Sequence, residues 1–337
     1  MAKDQSRRKL LKNLGIGAGL LVIPSFSNAS GFDVAINNLQ DPTSKINHSV
    51  CRWCYADIPL KEFAKACEEL GISAIDLLKP SEWQIVQEEG LKCSMATDDF
   101  ISLTDGFNDP KNHQKLQSAY IELIDKAADN NIQNVICFSG SRRGMDNETG
   151  WNNCVDGLKP LLDHAKTRNV TLVMELLNSK VDHPDYMADH TSWGAELAKR
   201  LDRPNFKLLY DIYHMQIMEG DIIRNIREFH PYINHYHTAG NPGRNEINNS
   251  QELNYPAIIQ AIYDTGFDGY IAQEFIPTFE NKLKALEKKS GFHEAPKDNI
   301  FFRSGKINSW KEILTKVQIR KVEDAFHNNM KELGYIK

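Results

Sequence analysis

From Asn47 onward, short apolar runs alternate with longer segments whose apolar residues recur at i, i+3 and i+4. That alternation is the mark of βαβ units, and so of a parallel sheet with helices packed outside it. The candidate strands are His48 to Trp53, Ser73 to Leu78, Lys92 to Met95, Asn134 to Phe138, Thr171 to Glu175, Lys207 to Asp211, Ile233 to Thr238 and Gly269 to Glu274. Their near-continuous Val, Ile and Leu content implies burial on both faces. Between them, Leu60 to Leu70, Leu116 to Ala128, Asn153 to Arg168, Trp193 to Leu201, Ile222 to Phe229 and Tyr255 to Thr265 carry the helical period. Eight such strands close into an α/β fold of the (β/α)8 TIM-barrel type.

With 337 residues, 41% of them apolar, the chain is long enough for one large core, and nothing requires two. The barrel is expected over residues 47–278. Residues 279–337 read as a C-terminal extension, with a charged stretch from Lys282 to Lys289 and a closing helix from Trp310 to Leu333. Ahead of the barrel, Ser6-Arg7-Arg8-Lys9-Leu10-Leu11-Lys12, a Gly-rich apolar stretch from Leu14 to Ile23 and then Ser27-Asn28-Ala29 form a twin-arginine export signal over residues 1–29. Residues 30–46 read as a flexible lead-in. The apolar stretch is too short for a lasting membrane anchor, so a periplasmic or exported product is expected.

Residues 1–29 hold Lys3, Arg7, Arg8, Lys9 and Lys12 against Asp4, so their removal leaves a chain more acidic than the −5 of the whole sequence. Such a chain is a poor partner for nucleic acid, whose non-specific affinity comes from Lys and Arg on phosphates. A small-molecule substrate fits better, with homo-oligomerisation left open. The six cysteines, at 51, 54, 67, 93, 137 and 154, show no disulfide rhythm. Cys51-Arg52-Trp53-Cys54 is a CxxC without the second pair that a zinc site wants, although an oxidising periplasm would allow a bridge.

Four apolar runs end in a side chain that can hold a divalent metal: Glu175 after Val173-Met174, Asp211 after Leu208-Leu209-Tyr210, His237 after Tyr232 to Tyr236, and Glu274 after Tyr270 to Gln273. They lie 36, 26 and 37 residues apart, close to one βαβ repeat each. A parallel barrel collects the carboxyl ends of its strands on one face, so these four would meet there. Any one of them alone could be an ordinary solvated strand end. Three carboxylates with one imidazole suit a hard or borderline ion such as Mn²⁺, Mg²⁺ or Co²⁺.

His235 lies on the same side of its strand as His237 and one layer deeper, where an interior histidine supporting its neighbour is the simpler reading. His214 follows Asp211 by three residues, where the next loop could fold it over the metal as a proton donor to a substrate oxygen. Arg244, in the turn-rich Asn241-Pro242-Gly243-Arg244-Asn245-Glu246, is either a clamp for a substrate carboxylate or a solvated loop arginine. Asn178, Lys180, Arg142 and Arg143 are weaker candidates of the same kind. No P-loop, no dinucleotide glycine fingerprint and no nucleophile elbow occurs in the sequence.

Tyr210-Asp211-Ile212-Tyr213-His214-Met215-Gln216-Ile217-Met218-Glu219-Gly220, then Asn241-Pro242-Gly243-Arg244, Glu252-Leu253-Asn254-Tyr255-Pro256, Gly266-Phe267-Asp268-Gly269-Tyr270 and Gln273-Glu274-Phe275, resemble the hydroxypyruvate isomerase family. This likeness, dense from about residue 170 to 278, lies within the xylose isomerase-like barrel superfamily. It implies that Glu175, Asp211, His237 and Glu274 ligate a divalent metal, that Glu175 and Glu274 also form the acid/base pair, that His214 steadies an enediolate oxygen and that Arg244 holds a substrate carboxylate. The implied reaction interconverts hydroxypyruvate and 2-hydroxy-3-oxopropanoate (tartronate semialdehyde). His237 stands where some of these isomerases have Gln and related ketose epimerases have His, so epimerisation of a ketose or keto-sugar is the alternative. An exported, non-catalytic binding protein is the second.

Overall fold

The computed structural model describes residues 46–286 and Lys316. Eight strands form a closed barrel in sequence order: β1 (Asn47–Cys51), β2 (Ala74–Leu78), β3 (Lys92–Ala96), β4 (Asn134–Cys137), β5 (Thr171–Glu175), β6 (Phe206–Asp211), β7 (Ile233–Thr238) and β8 (Tyr270–Gln273). Every neighbouring pair is parallel, and β8 pairs with β1 to complete the ring. The expected strands fall where the apolar runs place them, each within about two residues, as burial on both faces dictates. Cys67 and Cys137 belong to the core, and all six cysteines are buried free thiols, so Cys51 and Cys54 are unbridged.

Around the barrel run α1 (Leu60–Glu69), α2 (Pro80–Glu88), α3 (Pro110–Asp129), α4 (Asn147–Thr167), α5 (Thr191–Leu201), α6 (Ile212–Met218), α7 (Ile222–Phe229) and α8 (Tyr255–Asp264). Two of these, α2 and α6, are absent from the sequence reading. Helix α2 begins at Pro80 in the first helical position, with Glu82 reaching back to the Lys79 amide at 2.9 Å, a local signal that its weak apolar stripe hides. Helix α3 starts at Pro110 behind an Asp109 cap, several residues before its first apolar position at Leu116. Helix α4 likewise starts early, behind Asp146, and carries Pro160 in its interior.

Helix α6 corrects the reading of His214, which sits in its first turn rather than in a loop. Asp211 ends β6 and caps α6 at once, its Oδ1 accepting the His214 amide at 3.0 Å. No gap separates strand from helix, so the side chain three residues past the strand end is held over the barrel mouth by helical geometry. The export signal, the lead-in up to residue 45 and, Lys316 apart, the closing helix lie outside the described residues. Among the described residues no helix is long and apolar enough to cross a membrane.

Candidate metal centre at the barrel mouth

Strand register brings the predicted residues together. Asp211 pairs with His237 across β6 and β7, Glu175 with Leu209 across β5 and β6, and the Glu274 amide extends the β7–β8 ladder by donating to the Thr238 carbonyl at 2.8 Å. Glu175, Asp211, His237 and Glu274 are all buried. The His237 Nδ1 atom bonds to Glu274 Oε2 at 3.0 Å and stands 3.2 Å from Glu175 Oε1. Ligand-capable atoms of Glu175, Asp211, His214 and Glu274 all lie within 4.8 Å of one another. Glu175, Asp211 and Glu274 therefore converge with His214, and His237 reaches the cluster through its contacts with the two glutamates.

Side-chain chemistry shows what the cluster lacks. Glu175 Oε1, Asp211 Oδ2 and His214 Nε2 are buried and have no hydrogen-bond partner among the described residues. Burial, and then the Glu274 charge, push the Glu175 carboxyl up and the Asp211 carboxyl well above the usual carboxylate range. Glu274 goes the other way: burial opposes its charge, but His237 and Arg244 outweigh burial and hold it well below that range. His237 is held well above the ordinary imidazole value. Burial opposes its charge, while the Cys51 sulfur, Glu274 and Asp76 favour it, and the carboxylates are the effective partners because burial keeps the Cys51 thiol protonated. Three crowded carboxylates, two of them with an orphaned oxygen, form a cage for a positive charge, and an O,O,O,N donor set suits a divalent ion.

His214 is placed as a hydrogen-bond donor, and its tautomer follows from its neighbours. Asn178 Oδ1 accepts the amides of Val181 and Asp182 at 3.0 and 2.8 Å, which identifies the other amide atom as Nδ2. That Nδ2 donates to Asp182 Oδ2 at 2.7 Å and to His214 Nδ1 at 2.6 Å. Nδ1 is thus an acceptor, and the ring proton sits on Nε2, facing the carboxylates. Burial, and then the Arg244 charge, hold His214 well below the usual imidazole value, so it is a neutral donor.

Arg244 reaches the same place from the β7–α8 loop, which turns through Gly243 at φ +98° and Arg244 at φ +56°. Its Nη2 meets Glu274 Oε2 at 2.6 Å and lies 3.7 Å from Asp211 Oδ2, while its guanidinium lies over the rings of Trp53 and Tyr213 at 5.2 and 5.4 Å. Only 14% of the side chain is exposed, so the solvated-loop reading is set aside. Of the weaker candidates Asn178 belongs to the site, through His214, and the other three are engaged elsewhere. Lys180 Nζ caps the end of α6 through the Ile217 and Met218 carbonyls, Arg142 bonds to Asn147, and Arg143 pairs with Asp105.

Two participants escaped the sequence reading. Trp53 Nε1 donates to Glu274 Oε1 at 2.7 Å, and Asp76 Oδ2 meets His237 Nε2 at 2.8 Å. Trp53 carried no charge to notice, but Asp76 did give a signal: it is a carboxylate in the middle of the apolar Ala74-Ile75-Asp76-Leu77-Leu78. His235 is wholly buried beside it, with Nε2 3.1 Å from Asp76 Oδ1, as an interior supporting histidine.

A closed parallel barrel with acid and imidazole groups at the carboxyl ends of its strands is a TIM barrel with a site where TIM-barrel enzymes carry theirs. The family model described as a xylose isomerase-like TIM barrel matches residues 48–290, and the chain belongs to that family. A putative hydroxypyruvate isomerase of Homo sapiens is 37% identical over 105 residues, which are 31% of this chain and 38% of that protein. A 2-oxo-tetronate isomerase of Pectobacterium atrosepticum is 25% identical over 234 residues, 66% of this chain and 88% of that protein. Among solved structures, an AP endonuclease, family 2, from Brucella melitensis superposes with a TM-score of 0.63 at 21% identity, covering 71% of this chain and 95% of that one. At that identity the likeness shows the fold.

Proposed function

We propose that this chain is a divalent-metal-dependent isomerase of a small hydroxy-keto acid, with hydroxypyruvate and 2-hydroxy-3-oxopropanoate as its pair. The observation that carries this reading is the convergence of two glutamates on the Nδ1 atom of His237, Glu274 at 3.0 Å and Glu175 at 3.2 Å, beside buried oxygens of Glu175 and Asp211 that have no hydrogen-bond partner among the described residues. Glu175, Asp211, His237 and Glu274 would hold Mn²⁺, Mg²⁺ or Co²⁺. Such an ion supplies the Lewis acidity that eases removal of a proton next to a carbonyl. Glu175 and Glu274 form the acid/base pair: one takes the proton from C3, leaving an enediolate skeleton, and a proton returns to C2 as the hydroxyl proton passes from O3 to O2. His214 donates its Nε2–H to the developing oxyanion. Arg244, stacked between Trp53 and Tyr213, releases Glu274 to hold the substrate carboxylate.

Support for a carboxylate-bearing substrate comes from the names of the relatives, both of which specify isomerases of keto acids. The test is solvent-deuterium exchange and turnover by metal-loaded protein on hydroxypyruvate, 2-oxo-tetronate and neutral ketoses, with Glu175→Gln, Glu274→Gln and Arg244→Met. Either Gln variant should lose at least about 100-fold in rate while keeping the native circular dichroism. Arg244→Met should harm the acids far more than the sugars. Exchange into ketoses alone, unaffected by Arg244→Met, would instead make the chain a ketose or keto-sugar epimerase, the reading favoured by a histidine at 237. No exchange with any compound would leave a binding protein.

Twin-arginine export to the periplasm, from Arg7 and Arg8, is part of the same proposal. Replacing both with Lys should retain the protein in the cytoplasmic fraction. Periplasmic recovery of that variant would remove export from the reading.

A further inference from the structure

Beneath the cluster, the barrel interior holds a second set of polar groups that the proposed reaction leaves unused. Asp76 is wholly buried on β2. Its Oδ1 accepts Ser94 Oγ at 2.5 Å and lies 3.1 Å from His235 Nε2, and its Oδ2 lies 2.8 Å from His237 Nε2. Ser94 is braced in turn by Ser49 Oγ at 2.6 Å. A buried carboxylate is costly unless its partners are fixed, so the placement needs a reason.

The backbone is bent to achieve it. The β2–β3 register shifts on both sides of Asp76, between Ile75 and Asp76 and again between Asp76 and Leu78. Leu77, a bulky residue, sits at φ +57°, in the left-handed region that such side chains avoid. Bulges of this kind re-aim a side chain, and local strain persists where the surrounding structure requires it.

What Asp76 receives is the far nitrogen of His237. A carboxylate can only accept, so it fixes the ring proton on Nε2 and leaves Nδ1 to face Glu175 Oε1 and Glu274 Oε2. Nδ1 lies 3.2 and 3.0 Å from those two oxygens, so a divalent ion held by the two glutamates would displace its proton and bind there. We propose that Asp76 is a positioning residue, which holds His237 as an Nδ1 donor to the divalent ion through the Nε2–H···Oδ2 bond. The carboxylate–histidine pair strengthens the imidazole as a ligand and fixes its ring plane. Ser94 and Ser49 keep the carboxylate in place. This rests on the metal-dependent reading above and adds a residue to it.

The experiment is a double-mutant cycle read by metal affinity. Wild type, Asp76→Asn, His237→Gln and the double variant are titrated with Co²⁺ against a chelating dye, with the Co²⁺ absorption spectrum recorded for each. Asp76→Asn should weaken binding about 10- to 100-fold and alter the spectrum where His237 is present. In the His237→Gln background the same change should cost less than about 3-fold, because no imidazole remains to orient. Equal losses in both backgrounds, or no loss in either, overturn the inference. Two ions in the wild type, one of them lost with Asp76→Asn, would make Asp76 a ligand and also overturn it. Should Asp76→Asn fail to fold, Ser94→Ala removes only the brace. It should weaken Co²⁺ binding several-fold with the same dependence on His237, and a loss indifferent to His237 overturns the inference. A wild type that takes up no ion refutes the metal-dependent reading itself, a failure visible before any variant is made.

Discussion

At the scale of single residues, the tautomer of His214 is set by one amide, and this can be reversed without touching the imidazole. Asn178→Asp would replace the donor at His214 Nδ1 with an acceptor, driving the ring proton onto Nδ1 and leaving Nε2 a lone pair facing the carboxylates. It would also set a second carboxylate 2.7 Å from Asp182. Pairing it with Asp182→Asn restores that contact, since the new amide at 182 donates to the new carboxylate at 178. The swapped pair should fold normally and lose about 10- to 1000-fold in kcat, with KM changed little, because an oxyanion donor acts chiefly in the transition state. Unchanged kcat would show that His214 donates nothing to the reaction. The gathering of Glu175, Asp211, His237 and Glu274 at one end of the barrel was legible because each lies within a residue of a strand's carboxyl end and the barrel carries strand ends to one face. The partners of Asp76 were not, since a mid-strand carboxylate reveals them only through the β2–β3 register and a contact across the barrel interior to β7, which apolar patterning leaves unspecified.

At the scale of elements, Asp211 joins β6 to α6 and so has two duties. As strand end it offers a carboxylate oxygen to the cluster, and as cap it accepts the His214 amide. The two can be separated, because Asn caps as well as Asp but carries no charge. Asp211→Asn should leave the metal-free protein at least as stable as wild type, having removed a buried charge that Glu175 and Glu274 disfavour, while metal affinity falls at least 10-fold. Asp211→Ala should lose the affinity and about a further 1 kcal/mol of stability with the cap. Thermal unfolding of metal-free samples beside Co²⁺ titrations reads both, and equal stability of the Asn and Ala variants would remove the cap from the account. Helix α6 went unread for a related reason: Ile212-Tyr213-His214-Met215-Gln216-Ile217-Met218 has no polar face, five of its seven residues being buried. Helix periodicity is visible only where one face meets water, as in α7, whose buried residues are Ile222 and Ile226.

At the scale of the whole molecule, the proposed ligands sit on β5, β6, β7 and just beyond β8, half of a ring that closes only when β8 pairs with β1. Opening the barrel at any of these strands separates the carboxylates, so the unfolded chain has no comparable site. Binding to the folded state alone stabilises it by RT ln(1 + [M]/Kd), about 2.7 kcal/mol when the free ion is at 100 times its Kd. For a domain of this size that is a rise of roughly 5 to 10 °C in Tm. The metal-free barrel should still fold, because its core of Val, Ile, Leu and aromatic side chains is built independently of the cluster. Stripping the ion with a chelator should therefore lower Tm by that amount, with the native far-ultraviolet circular dichroism retained, and restoring Mn²⁺ or Co²⁺ should recover it in proportion to log[M]. In the swapped Asn178→Asp/Asp182→Asn protein the same shift should persist, since His214 is a donor to substrate there and not the holder of the ion. A lost shift would move His214 into the ligand set.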